Sequence, residues 1–94
     1  MTQPLAGKQI LIVEDEPVFR SLLHGWLTSL GATTFQAEDG KDALHKMTEV
    51  HPDLMICDIS MPRMNGLELV ETLRNRGEQL PILMISATEN MADI

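Results

Sequence analysis

The stretch ILIVED at residues 10–15 decides the fold, because a short apolar run ends there directly in two carboxylates. The same arrangement recurs as LMICD at residues 54–58 and, with a hydroxyl in place of the acid, as ILMIS at residues 82–86. None of the three apolar runs alternates with polar residues, which is typical of parallel strands buried on both faces. The pattern therefore predicts three strands inside one parallel sheet.

Side chains that can bind ligands stand where these predicted strands end. Glu14 and Asp15 follow the first strand, Asp58 ends the second and Ser86 follows the third. The carboxyl ends of parallel strands meet at one edge of a sheet, where ligands of such sheets bind. Carboxylate oxygens suit a hard divalent cation, and a carboxylate beside a cation can attack phosphorus. The four side chains predict a site for a divalent cation and a transferred phosphoryl group.

The segments between these strands have helical patterns. After Pro17, apolar residues recur at helical spacing, and we expect one buried face formed by Phe19, Leu22, Leu23, Trp26, Leu27 and Leu30. Gly31 is expected to end this helix, and residues 33–37 form a short strand. Asp39 is expected to cap a second helix. The buried positions of a third helix are predicted to be Leu67, Val70 and Leu73, and Thr88 is predicted to cap a fourth helix.

Strands that alternate with helices of about a dozen residues indicate right-handed βαβ crossovers. The predicted fold class is therefore α/β, a doubly wound parallel sheet with helices on both faces. Ninety-four residues allow one small domain with a single core, and 44% hydrophobic residues are enough to form it.

The charge balance limits the partners. Seven basic against fourteen acidic residues give a net charge of −7, which argues against nucleic acid and against anionic membranes. The lone Cys57 cannot form an internal disulfide, which fits a reducing cytoplasm. We find no signal peptide and no run of transmembrane length, so a cytoplasmic protein is expected.

Simpler explanations are open for the same residues. The acids at 14–16 also suit a solvated turn that favours the next helix through its dipole. Asp58 alone also suits a cap of the following turn. His24, His45 and His51 lack the spacing of metal ligands, and Trp26 is expected in the core.

Taken together, these motifs resemble the receiver domain of two-component response regulators. The residues that carry the resemblance are Glu14-Asp15, then Asp58 with Pro62 four residues later and Gly66 eight residues later, then Ser86-Ala87. The resemblance implies a flavodoxin-like (CheY-like) fold with sheet order 2-1-3-4-5, a signalling domain rather than an enzyme, and phosphorylation by a histidine kinase or a small phosphodonor.

The resemblance also implies roles for individual residues. Asp58 is the expected phosphoacceptor, and Ser86 is the hydroxyl that bonds the phosphoryl group. Asp15 and Asp58 are expected to ligate Mg2+, with Glu14 acting through water and the backbone carbonyl of Ser60 completing the protein ligands. Within the family, the stretches at residues 7–16, 53–59 and 85–94 are similar to the N-terminal receivers of adaptors that deliver the stationary-phase sigma factor to a protease. The implied partners of such an adaptor are the sigma factor and the protease machinery.

One departure from the family pattern affects the expected architecture. Residues 1–94 match a receiver domain that stops before the fifth strand, the last helix and the Lys that ends the fifth strand. Lys8, Lys41 and Lys46 lie elsewhere. We therefore expect strand order 2-1-3-4. We also expect either a longer chain or a homodimer, formed through the exposed edge of the strand at 81–86 or through the sheet face that the absent last helix would leave uncovered beside the first helix.

Three functions fit these observations. The first is a phosphoacceptor switch on Asp58. The second is a module that binds its partner without phosphorylation, which unchanged partner affinity in Asp58→Ala would favour. The third is a magnesium-dependent phosphatase, which is disfavoured because Ser60, and not a carboxylate, stands two residues after Asp58.

Overall fold

The computed structural model describes residues 3–61 and 64–86, in which strands and helices alternate along the chain. The strands are β1 (Gln9–Val13), β2 (Thr33–Ala37), β3 (Leu54–Asp58) and β4 (Ile82–Ile85). The helices are α1 (Pro17–Ser29), α2 (Gly40–Lys46) and α3 (Gly66–Asn75). The predicted helix cap at Thr88 lies outside the described residues, as do Pro62 and Ala87 of the family motif.

The four strands form one parallel sheet in the order β2-β1-β3-β4. This confirms the predicted α/β class and the predicted strand order. In the register, Val13 lies beside Cys57, and Cys57 lies beside Met84. The carboxyl ends of β1, β3 and β4 are therefore level with one another at one edge of the sheet.

Helices cover both faces of this sheet. Successive strand residues point to opposite sides, so the apolar strands present side chains on both faces that need cover. On one face, α2 and α3 enclose a core centred on Leu11, Val13, Met55 and Leu69. On the other face, α1 packs with Leu27 on a smaller core that contains Ile10, Ile12 and Ile56. Among the described helices, none combines the length and the apolar character that a membrane crossing needs.

Side-chain caps start the three helices. Glu16 caps α1 by accepting the Phe19 N–H, and Asp39 caps α2 by accepting the Asp42 N–H, as predicted for Asp39. Asn65 and Glu68 bond each other's backbone N–H groups at the start of α3, a capping box. These bonds satisfy N–H groups that a helix start leaves without partners.

The expected buried face of α1 is partly wrong. Leu27 is buried, and Phe19, Leu23 and Leu30 are half-buried, but Leu22 and Trp26 are more than 60% exposed. Val18 is exposed as well. The apolar arc of α1 is wider than the strip of helix that meets the sheet, so part of it faces outward.

Two further burial predictions also need correction. In α3, Leu67 is exposed, whereas Leu69 is fully buried and forms an inward row with Leu73. In β4, Leu83 is 54% exposed, so the run at 82–85 is not buried on both faces. Leu83 is level with Ile56 on the face that α1 covers, and α1 packs mainly on β1 and β2, away from β4.

Candidate functional site

Three carboxylates converge at the carboxyl edge of the sheet. Glu14 directly follows β1 and Asp58 is the last residue of β3, so the pairing of these strands brings their side chains together. Asp15 lies on the turn that leads to α1. Carboxylate oxygens of Glu14, Asp15 and Asp58 all lie within 4.8 Å of one another. We call these three side chains the acidic triad.

The members of the acidic triad differ in exposure. Glu14 and Asp58 are at most 1% exposed, whereas Asp15 faces solvent. Burial is the main cause that raises the pKa of Glu14 to about 7, and the nearby charge of Asp58 contributes to the same rise. Burial also raises the pKa of Asp58, with the charge of Asp15 adding to the effect. The triad therefore resists carrying three negative charges without a compensating cation.

Two buried oxygens of the triad lack ordinary partners. Glu14 Oε1 and Asp58 Oδ2 accept no hydrogen bond from an N–H group or hydroxyl of the described residues. Leaving a buried carboxylate oxygen without a donor costs free energy. Hard oxygen donors in such an arrangement fit a hard divalent cation, which takes carboxylate oxygens as ligands.

Backbone N–H groups hold the other oxygens of the two buried acids. Glu14 Oε2 accepts the N–H of Glu16 at 3.0 Å. Asp58 Oδ1 accepts the N–H of Ser60 at 3.2 Å. Each buried carboxylate thus has one oxygen fixed by its own loop and one oxygen without a hydrogen-bond donor among the described residues.

The sequence left a solvated acidic turn as an alternative for residues 14–16. In the structure, the three acidic residues of that turn do not share one role. Glu16 is exposed and caps α1, so the helix-start explanation applies to it. Glu14 and Asp15 belong to the acidic triad instead.

Ser86 lies at the same edge, directly after β4. Asp58 is level with Ile85 in the register, and the Ile59 N–H donates to the Ile85 carbonyl at 2.9 Å. Ser86 therefore lies one residue beyond the position on β4 that is level with Asp58. It is half-buried.

Two residues to which sequence reasoning gave no structural role contact the site. A Cβ on Gly66 would lie 2.4 Å from the Asp58 carbonyl oxygen, so the start of α3 packs directly on the end of β3. Arg20 Nη1 donates to the Glu14 carbonyl at 2.7 Å. The signal for Arg20 was its place in the first turn of α1, since helical side chains tilt toward the helix start.

Comparisons with known proteins agree with this geometry. The family model described as "Response regulator receiver domain" matches residues 10–94. The chain therefore belongs to the response regulator receiver domain family.

The chain is 72% identical over all 94 residues to the Regulator of RpoS from Escherichia coli (strain K12). It spans 28% of that protein's length.

Solved receiver structures share the fold. The response regulator TrrA from Thermotoga maritima, determined in complex with Mg2+ and BeF, has a TM-score of 0.80 and 36% identity, and the match covers 93% of this chain and 76% of that one. The Francisella response regulator 1452 receiver domain has a TM-score of 0.83 at 27% identity, with 93% of this chain and 74% of that one covered.

Proposed function

We propose that this chain is a phosphoacceptor domain whose Asp58 takes a phosphoryl group while the acidic triad holds Mg2+. One observation carries the proposal. Two buried carboxylates on neighbouring strands, Glu14 and Asp58, each keep an oxygen without a hydrogen-bond donor in the described chain, and both lie beside Asp15. A structural role does not account for such an arrangement, because it lowers stability.

The residues that would hold Mg2+ are Asp15 and Asp58, with Glu14 acting through water and Ser60 through its carbonyl. When bound, Mg2+ supplies positive charge that offsets the triad and allows an anionic phosphoryl group to approach. TrrA, a protein of the same fold, was solved in complex with Mg2+ and BeF, which supports this choice of cation.

The proposed reaction transfers a phosphoryl group from a histidine kinase, or from a small phosphodonor, to Asp58. A carboxylate oxygen of Asp58 attacks phosphorus, so a P–O bond forms and the P–N bond of the donor phosphohistidine breaks. The released imidazole takes up a proton. Ser86, one residue beyond β4 on the neighbouring strand, donates its hydroxyl hydrogen to the transferred group.

The name of the Escherichia coli relative links it to RpoS. We propose that the longer protein carrying this domain binds the stationary-phase sigma factor and presents it to protease machinery in the cytoplasm. The receiver would control that binding by shifting the population of two conformations when Asp58 is phosphorylated.

The assignment of Asp58 is tested by labelling with phosphoramidate and Mg2+, followed by intact mass. The parent should gain one phosphoryl group and Asp58→Ala should gain none. Asp53→Ala is the matched control, because Asp53 stands at the opposite end of the same strand and should leave labelling unchanged. Labelling of Asp58→Ala to the extent of the parent would overturn the proposal.

The metal assignment has its own test. Asp15→Asn removes an anionic oxygen from the triad, so the Mg2+ affinity should fall at least about tenfold. Amide chemical shifts measured during a Mg2+ titration give the affinity. Glu71→Gln, at an exposed position of α3, is the control for general loss of negative charge. An Asp15→Asn variant that binds Mg2+ as tightly as Glu71→Gln would contradict the assignment.

A further inference from the structure

Arg20 joins three elements at the edge of the acidic triad. Its Nη1 donates to the Glu14 carbonyl at 2.7 Å, and its Nε donates to Gln36 Oε1 at 3.3 Å. It therefore links α1 to the end of β1 and to β2. Resting on the proposed function, we infer that Arg20 is a positioning residue that sets the direction of the Asp15 carboxylate and thereby the Mg2+ affinity.

The bond to Glu14 fixes one particular peptide. The Glu14 N–H already donates to the Ala37 carbonyl at 3.0 Å, so β2 holds the peptide before Glu14. Arg20 holds the peptide after it, which joins Glu14 to Asp15. The plane of that peptide, together with the φ and χ angles of Asp15, sets where the Asp15 side chain points. With both peptides fixed, an exposed carboxylate on a turn is kept facing Glu14 and Asp58.

The two bonds of Arg20 require a guanidinium group. A planar fork can reach a carbonyl on one element and an amide oxygen on another at the same time, which a lysine ammonium does with much less directional control. Arg20→Lys thus keeps the positive charge and loses the fixed geometry. This separates positioning from simple electrostatics.

The Arg20→Gln variant distinguishes a positioning role from a purely electrostatic one, because the two roles predict opposite changes in Mg2+ affinity. If Arg20 acted only as a charge, its removal would strengthen Mg2+ binding, because a cation near the cation site would be gone. If Arg20 positions Asp15, its removal weakens binding. Outer partners that orient metal ligands typically contribute a factor of about 10 to 100 in affinity.

The chain offers a matched control at the other end of the sheet. Arg74 on α3 donates through Nη1 to the Glu78 carbonyl at 2.8 Å and through Nη2 to the Leu80 carbonyl at 3.0 Å. It makes the same kind of bond from a helix to a loop backbone, on the approach to β4 and far from the triad. Arg74→Gln should therefore cost comparable stability without changing the metal site.

The experiment measures Mg2+ dissociation constants by amide chemical shifts and unfolding in urea for the parent, Arg20→Gln, Arg20→Lys and Arg74→Gln. We expect about tenfold weaker Mg2+ binding in Arg20→Gln, a smaller but clear loss in Arg20→Lys, and a change below about twofold in Arg74→Gln. Unchanged or tighter binding by Arg20→Gln would overturn the inference, as would equal weakening in Arg74→Gln.

Two further measurements keep the result interpretable. Gln36→Leu, at an exposed position, removes only the acceptor of Arg20 Nε, so a loss of roughly two- to threefold in Mg2+ affinity is expected even if Arg20→Gln does not fold. A parent that binds no Mg2+ defeats the proposed function itself. A parent that binds Mg2+ and is labelled on Asp58, with variants at Arg20 and Gln36 that bind equally well, defeats only the role of Arg20.

Discussion

Two aspartates stand at the two ends of strand β3, Asp53 just before it and Asp58 as its last residue, and their surroundings are opposite in kind. At the amino end, Asp53 is exposed, its Oδ2 accepts the Gln9 N–H at 2.8 Å, and its own N–H donates to the Gln9 carbonyl at 2.7 Å. At the carboxyl end, Asp58 is fully buried beside Glu14, and its Oδ2 accepts no hydrogen bond in the described chain.

The difference separates an end of the sheet that is built for stability from the end where we propose the functional site. At the amino edge, Asp53 ties β3 to β1, and Arg74 bonds the carbonyls that lead into β4. At the carboxyl edge, buried acids are held together against their mutual repulsion. Acidic groups that lower stability, and whose pKa values are raised by burial and by neighbouring charges, are typical of sites selected for chemistry.

Among these predictions, we expect the largest change in the free energy of unfolding for Gly66→Ala. The added Cβ would lie 2.4 Å from the Asp58 carbonyl oxygen and 3.0 Å from Ile59 Cα, and neither backbone atom can move without shifting the end of β3. We expect a loss of more than about 3 kcal/mol in the free energy of unfolding. Urea denaturation followed by circular dichroism measures it.

Gly25→Ala is the control for this prediction. Gly25 is exposed within α1, and no atom outside its own helix turn lies within 4 Å of the position that a Cβ would take. The same substitution should therefore stabilise the helix by about 0.5–1 kcal/mol. A Gly66→Ala variant as stable as Gly25→Ala would show that α3 does not pack tightly on the Asp58 backbone.

The second prediction concerns pH in metal-free protein. The pKa of Glu14 is raised from 4.5 to about 7, mainly by burial. Below pH 4.5 the side chain is protonated in both states, so the full stability is present. Between pH 4.5 and 7 the unfolded chain loses this proton first, and stability falls. Above pH 7 both states are ionised and the loss levels off.

Replacing Glu14 with Gln should remove this dependence. The stability gained by Glu14→Gln relative to the parent should grow by up to roughly 3 kcal/mol across this pH range. Denaturation in EDTA at several pH values measures it, and Glu71→Gln on the exposed face of α3 should track the parent. A constant difference between Glu14→Gln and the parent would contradict the raised pKa.

The smallest effect tests the two aspartates directly. In metal-free protein, Asp58→Asn keeps an oxygen for the Ser60 N–H and removes a buried charge, so stability should rise by about 1–2 kcal/mol. Asp53→Asn keeps the bond to the Gln9 N–H and should change stability by less than about 0.5 kcal/mol. Thermal unfolding of both variants compares them, and equal gains would erase the distinction between the two ends.

The sequence predicted the positions of the strands well, because an apolar run and the residues that end it are local features of the chain. The apolar runs gave the positions of β1 and β3 and the edge on which Glu14, Asp15 and Asp58 meet. The buried faces of the helices were harder to predict. The periodicity of α1 shows an apolar arc, but not how much of the arc the sheet covers, so Leu22 was misplaced.

The supporting contacts of the site could not be predicted for a related reason. The bond from Arg20 to the Glu14 carbonyl depends on the angle at which α1 leaves β1. The contact between Gly66 and the Asp58 carbonyl depends on how closely α3 approaches β3. Residue types and spacing identify the acids, whereas the distances between elements determine which neighbours hold them.

The exposure of Trp26 has a consequence for spectroscopy. Trp26 is the chain's single tryptophan, and the chain has no tyrosine. The residue is 61% exposed and lies ten residues, or about 15 Å along the helix, from Glu16. An indole already in water emits at long wavelength, so its fluorescence changes little when the domain unfolds or when a ligand binds at the carboxyl edge. The same indole would shift to shorter wavelength when another surface covers α1. Fluorescence of this protein therefore reports on contacts of α1, and the acidic triad needs a different probe.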